Sequence, residues 1–317
     1  MSTESITSTQ SYATRLENET RAEKKARRRQ NRQIRKKAFL GASAAYVATT
    51  SLASPVAKNL SVFSRNLSPD RIAQINAAAD RIIQDTPVLN NNGVKIVNFK
   101  NYISFSLLPD WLEKKMNINA QIADGRNACF VASGKNTLGE KIKNLVYVNR
   151  EKLPMATFHE LGHAHNFNTS AAWRVMQKGR LGWMGLAAAI SMIPLFTKES
   201  KPEEGKELTA GQKFKNWVRK ASPALAFTAM LPMLAEEAAA SIKGCKMAKP
   251  LLDKALYSGV VKTNALAYTS YLALAAGSAV FALVAKKIKD KNIAKQEQEQ
   301  QQLQQQQQQQ MPLETVA

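Results

Sequence analysis

A chain of 317 residues, 44% of them hydrophobic, is long and apolar enough to bury the core of one or two domains. Its two cysteines, Cys129 and Cys245, exclude a disulfide framework. The net charge of +21 argues for nucleic acid only at first sight: residues 1–37 alone hold 11 Lys/Arg against 4 Asp/Glu, no recognition motif accompanies them, and an uncharged segment follows directly.

The chain opens with a polar, basic tail, densest from Arg21 to Lys37, whose composition predicts disorder or a frayed helix. Residues 38–57 then run for 20 residues without charge, enough to cross a bilayer. A basic flank on an apolar segment predicts an uncleaved anchor with its flank in the cytoplasm. The alternative is a signal peptide cut after Ala53, for which the basic region is unusually long. Ser68-Pro69-Asp70 opens a helix with a capping hydroxyl and a first-turn proline, and Ile72, Ile75, Ile82 and Ile83 give it an apolar stripe. Short strands are predicted at Val94–Phe99, Asn127–Ala132 and Leu145–Val148, with a short helix at Leu107–Met116 carrying Trp111.

Pro154 starts the helix that carries the chemistry. Thr157-Phe158-His159-Glu160-Leu161-Gly162-His163 contains H-E-x-x-H. Four residues apart on a helix, His159 and His163 share a face and can hold one Zn²⁺ ion. Glu160 sits beside the first ligand, placed to take a proton from zinc-bound water, whose pKa falls from about 16 to about 7. The chain has three His, and all lie within 159–165, which argues against a chance match. His165 falls on another face, and the position where a metzincin carries its third His is Thr169. The third ligand is therefore expected to be a carboxylate from elsewhere.

Three more uncharged stretches follow: Leu181–Phe196 with 16 residues, Ala221–Ala235 with 15 and Asn264–Ala285 with 22. The last is long enough to span a bilayer. The first two predict a membrane hairpin with the charged loop Lys198–Lys220 as its wet tip, or else buried core helices. At the end of the second stretch stand Glu236 and Glu237, costly there unless paired or bound to metal. Helical geometry lets only one of two neighbouring Glu face a shared ion. The tail from Lys286 is Lys-rich, then Gln-rich, and carries no chemistry.

HELGH, the downstream Glu237-Ala238-Ala239-Ala240-Ser241 and the upstream Asn127-Ala128-Cys129-Phe130 together resemble the membrane-bound gluzincin peptidases, the HtpX-like and CAAX-processing group and related bacterial neutral zinc membrane peptidases. The resemblance covers about residues 125–245. It implies Glu237 as third zinc ligand and residues 127–132, with Asn127, as the edge strand that holds an extended substrate. The HtpX-like enzymes carry Asp where this chain has Ser241, which can orient a ligating His only more weakly. Tyr257, Tyr268 and Tyr271 follow the Glu element, and spacing does not choose a transition-state stabiliser among them.

The expected architecture is therefore a mostly α zincin-like α+β domain with a small antiparallel sheet, joined to transmembrane helices. Its parts are a tail (1–37), an anchor (38–57), a catalytic part (58–180), an apolar hairpin (181–235), a third-ligand helix (236–263), a transmembrane helix (264–285) and a second tail (286–317). The expected function is a zinc metalloendopeptidase of a bacterial cell membrane, acting on protein or peptide substrates, with membrane lipid as its surroundings and no nucleic acid. Two other classes compete: a catalytically silent zinc scaffold and a basic nucleic-acid-binding protein. Placing the basic segments in the cytoplasm puts both halves of the site on the extracytoplasmic side.

Overall fold

The computed structural model describes residues 21–51, 60–99, 117–135, 141–142, 144–202 and 205–309. The predicted helix at Leu107–Met116 and the end of the 38–57 segment lie outside them. The described residues form two compact units, one drawn from 1–47, 187–227 and 277–317, the other from 48–186 and 228–276.

The second unit holds the motif. Its first helix, α2 (Pro69–Asp85), follows α1 (Arg21–Ser51) in the chain and starts where the sequence predicts, with the Ser68 hydroxyl accepting from the Arg71 N–H at 3.3 Å. Ile75 and Ile82 of the predicted stripe are buried. A short α3 (Pro87–Asn91) leads into β1 (Lys95–Asn98), and α4 (Ile118–Ala123) precedes β2 (Cys129–Val131). A small hairpin, β3 (Gly134–Lys135) and β4 (Lys141–Ile142), then leads to β5 (Leu145–Val148).

The main sheet has the order β1-β5-β2 and is mixed, which corrects the antiparallel expectation. β1 runs parallel to β5 with Lys95 opposite Leu145, while β2 pairs antiparallel with Phe130 opposite Val146. Residues 99–144 separate β1 from β5, a connection long enough for the crossover that parallel pairing requires. The central strand is the uninterrupted apolar run Leu145-Val146-Tyr147-Val148, and β2 lies at an edge.

Beyond the sheet, a 3₁₀ turn at Pro154–Ala156 feeds α5 (Thr157–Thr169), followed by α6 (Ala171–Lys178) and α7 (Arg180–Phe196). Next come α8 (Ala210–Thr228), α9 (Leu231–Ala248) and α10 (Lys254–Gln309). Phe158 and Leu161 of α5 join Ile75, Leu89, Val146, Val148, Leu256 and Val260 in the core. Burying each such side chain stabilises the fold by about 1.5–3 kcal/mol.

Two glycines let α5 and α9 approach closely. A Cβ on Gly162 would strike the Ala240 carbonyl, and one on Gly244 the Phe158 carbonyl. The expected third-ligand helix over 236–263 is really α9, ending at Ala248, plus the start of α10, where Asp253 accepts from the Leu256 N–H at 2.9 Å. Ala221–Ala235 is likewise not one helix. It breaks at Ala229-Met230, because Pro232 has no N–H to give the preceding turn.

The first unit is a bundle of helix segments. The basic run Arg21–Lys37 is helical within α1, the helical one of the two expected states, and Ile34, Ala38 and Ala42 of α1 are buried. Ala38 and Ala42 pack with Leu195, Phe281 and Ala285. Two helical stretches, Ala210–Ala248 and Lys254–Gln306, are long and apolar enough to cross a membrane. A third span results if the α6–α7 pair, bent by 57°, counts as one. These agree with the apolar segments at 181–196, 221–235 and 264–285; α1 is not among them.

Candidate metal centre

His159 and His163 lie one turn apart on α5, with ring centroids 4.4 Å apart. Their Nε2 atoms are separated by 2.9 Å. Across the glycine-lined crossing, α9 presents Glu237, whose Oε2 lies 3.1 Å from His159 Nε2 and 3.4 Å from His163 Nε2. Tetrahedral zinc with bonds of about 2.0–2.1 Å needs donor atoms about 3.3 Å apart. The three edges of this triangle, 2.9, 3.1 and 3.4 Å, fit that requirement.

The triangle is dry. His159 is 5% exposed, His163 3% and Glu237 0%. Glu160 is buried too and lies with both His within reach of a common ion, yet its carboxylate makes no hydrogen bond or ion pair with a described residue. A buried carboxylate is costly without a partner, and an ion with its water would satisfy this one. The donor set of imidazole and carboxylate suits zinc.

Around the triangle a second ring fixes the imidazoles. Glu236 Oε1 lies 2.6 Å from His163 Nδ1, and Ser241 Oγ lies 3.0 Å from His159 Nδ1. An Nδ1–H donated outward leaves Nε2 as the inward donor atom on both rings. Glu236 and Glu237 thus divide the work as adjacent helical residues must: one faces the triangle's centre, the other its back. Asn264 Nδ2 donates to the Ser241 carbonyl at 3.4 Å and to Cys245 Sγ at 3.3 Å. Cys129 and Cys245 are free thiols.

Arg180, at the start of α7, closes the ring. Its guanidinium ion-pairs with Glu236 and lies 2.6 Å from Glu237 Oε1. Burial alone would lower the pKa of His163, but Glu237, together with hydrogen bonds to Glu236 and Glu237, outweighs both burial and the Arg180 charge and lifts it to about 10. The two carboxylates therefore favour the protonated form of His163.

The structure brings His159, Glu160, His163, Glu237 and Ser241 together. It does not bring in Asn127, whose side-chain oxygen accepts from the Ala128 N–H at 2.9 Å. His165 stays half-buried away from the cluster, and the Thr169 hydroxyl donates to the backbone of its own helix, 2.9 Å from the His165 carbonyl. Among the three tyrosines, Tyr271 lies in the field of Glu237, Arg180 and Glu160, whereas Tyr257 packs against the core. Arg180 was missed by sequence reasoning. Its signal was a cation at the edge of an apolar stretch, where burial calls for a carboxylate partner.

No family model, curated protein or solved structure matches this chain.

Proposed function

We propose that the chain is a membrane-anchored zinc metallopeptidase of the gluzincin type, as the resemblance of HELGH and the Glu237 element implies. The observation that carries this reading is the buried triangle of His159, His163 and Glu237 with an unpartnered Glu160 beside it. Zinc held there would supply a Lewis acid and an acidified water. Glu160 takes a proton from the attacking water and hands it to the departing amine. Tyr271 and Arg180, both next to Glu237, are the donors available to the oxyanion that develops on the scissile carbonyl. β2, at one end of the strand order β1-β5-β2, is the strand along which an extended peptide would align.

The helices long and apolar enough to cross a membrane support a cell-membrane location, bacterial by the resemblance. With residues 38–57 as the anchor that the sequence suggests, the positive-inside bias of the Arg21–Lys37, Lys198–Lys220 and Lys286–Lys295 segments favours a site on the extracytoplasmic side.

The test is cleavage of a denatured protein by the purified full chain, with bulk metal analysis in parallel. Glu160→Gln retains one zinc per chain and loses about 10²–10⁴-fold in rate, the range for removal of a general base. Undiminished cleavage by that variant overturns the mechanism, and absence of zinc from the unmodified chain overturns the site.

A further inference from the structure

Four helix segments of the bundle unit change character at one level. α1 is basic to Lys37 and apolar from Ala38; α7 is apolar to its end at Phe196, and charged residues resume at Lys198. α8 is basic to Lys220 and apolar from Ala221; α10 is apolar to Ala285 and basic from Lys286. Contacts hold these boundaries together. Phe39 meets Phe281 edge to face at 5.8 Å, Arg219 ion-pairs with Asp290, and Lys289 donates to the Leu195 carbonyl at 2.7 Å. Apolar surface on one side of a common level and cations on the other is the pattern of a bilayer–water boundary.

A cavity of about 530 Å³ opens at this level between α1 and the end of α7. Its lining combines the cations Arg32, Arg35 and Lys36 with the apolar Phe39, Met192 and Phe196. Arg35 stacks over the Phe196 ring at 5.9 Å. No carboxylate lines the cavity, and Arg32 and Lys36 have no ion-pair partner among the described residues. Nearby, Lys289 lies in the field of Arg219, Arg35 and Lys198, with Asp290 as the acidic group facing it. The charge therefore runs in one direction, and what it lacks is an anion.

We propose that this cavity is a binding site for the headgroup of an anionic phospholipid, with the phosphate against Arg32, Arg35 and Lys36 and the acyl chains along Phe39, Met192 and Phe196. The split lining selects an amphiphile. A free phosphate would satisfy the three cations and leave the apolar side chains uncovered, whereas a zwitterionic lipid would bring its own cation to a cationic lining. Each basic side chain at a membrane surface is worth on the order of fivefold in affinity for an anionic lipid. The guanidinium groups add forked donation to phosphate oxygens. This site is independent of the zinc reading; it rests on the bundle unit alone.

The test uses the full chain in a neutral detergent, with retained lipid measured by native mass spectrometry after addition of phosphatidylglycerol or phosphatidylcholine. The unmodified chain retains phosphatidylglycerol at least about tenfold better. Arg32→Gln/Arg35→Gln/Lys36→Gln abolishes that preference. Lys24→Gln/Lys25→Gln/Arg28→Gln, which removes the same charge from exposed positions of the same helix, preserves it. Equal retention of the two lipids by the unmodified chain overturns the proposal. So does equal loss in both triple variants, which would mean diffuse attraction instead of a site. Displacement of phosphatidylglycerol by inorganic phosphate alone also overturns it, because the occupant would then be a small anion.

Discussion

Both units bury charge, and they resolve the cost in opposite ways. In the bundle unit, Arg219 is 1% exposed and Lys289 4%, and each is satisfied by what the fold itself supplies. Arg219 has the Thr197 carbonyl at 3.1 Å and the Asp290 carboxylate; Lys289 has the carbonyls of Pro194, Leu195 and Thr197 at 3.1, 2.7 and 2.8 Å. Donors meet acceptors, and the end of an interrupted helix is capped in the process. In the site unit the inward atoms are two imidazole nitrogens and a carboxylate oxygen, with a further carboxylate beside them. Acceptors there meet acceptors. A structural network closes on itself; a ligand site converges on a point that belongs to something else.

The sharpest way to break this contrast is at the converging carboxylate. Glu237→Ala removes one of the three inward atoms and should weaken zinc binding by at least about a thousandfold, read by competition with a coloured chelator. If Glu237→Ala keeps its zinc while Glu236→Ala loses it, the two carboxylates have exchanged roles and the triangle described above is not the site.

Next in size is Glu236 itself. Its carboxylate fixes His163 from behind and holds Arg180, so Glu236→Ala should cost about 10–100-fold in zinc affinity. Glu236→Gln, which still accepts from Nδ1–H, should recover part of that loss. Cobalt substitution separates orientation from ligation: a retained tetrahedral absorption band in Glu236→Ala means the three inward atoms still bind. Loss of that band would place Glu236 among the ligands.

The bundle offers the counterpart. Asp290→Asn leaves the buried Arg219 without its countercharge and should lower the stability of that unit by about 1–3 kcal/mol, measured as a drop in the first thermal transition. Asp290 is partly exposed, which holds the effect toward the lower end. Zinc affinity should not change. A parallel loss of zinc in this variant would mean that the two networks are not independent.

How much of this was legible in the sequence depends on distance along the chain. HELGH was legible because its chemistry is local: two His at helical spacing and the Glu between them need no tertiary information. Glu237 came from a resemblance, and the adjacent pair was a register problem that geometry resolves by giving each residue a face. The positions of α2 and the three strands followed from capping and alternation, but the parallel pairing of β1 with β5 did not, because it depends on a crossover through residues 99–144. Arg180 was missed, and Tyr271 could not be told from Tyr257 and Tyr268, for the same reason. Each is a single residue in a long apolar context, and only the folded chain says which apolar helix turns toward Glu237. Gly162 and Gly244 looked like ordinary helix residues; their role is to bring two backbones close enough for three side chains to meet.

The smallest expected effect is at Ser241, and it decides how far a neutral hydroxyl can hold one imidazole where a carboxylate holds the other. Ser241 Oγ lies 3.0 Å from His159 Nδ1, so the hydroxyl accepts the Nδ1–H and leaves Nε2 facing inward. A neutral hydroxyl polarises the ring less than a carboxylate does, because a hydrogen bond to a charged acceptor is about twice as strong. His159 should therefore be the weaker-held of the two imidazoles, with Glu236 doing for His163 what Ser241 does only partly for His159. Ser241→Ala should lower zinc affinity by about tenfold or less, below the loss in Glu236→Ala. Ser241→Asp should raise it above that of the unmodified chain, provided the added carboxylate reaches Nδ1 without disturbing the Asn264 contact to the Ser241 carbonyl, a condition that a retained cobalt band checks. If Ser241→Ala instead costs more zinc than Glu236→Ala, the imidazole held by the hydroxyl is the dominant one, and the asymmetry argued from the two distances runs the other way.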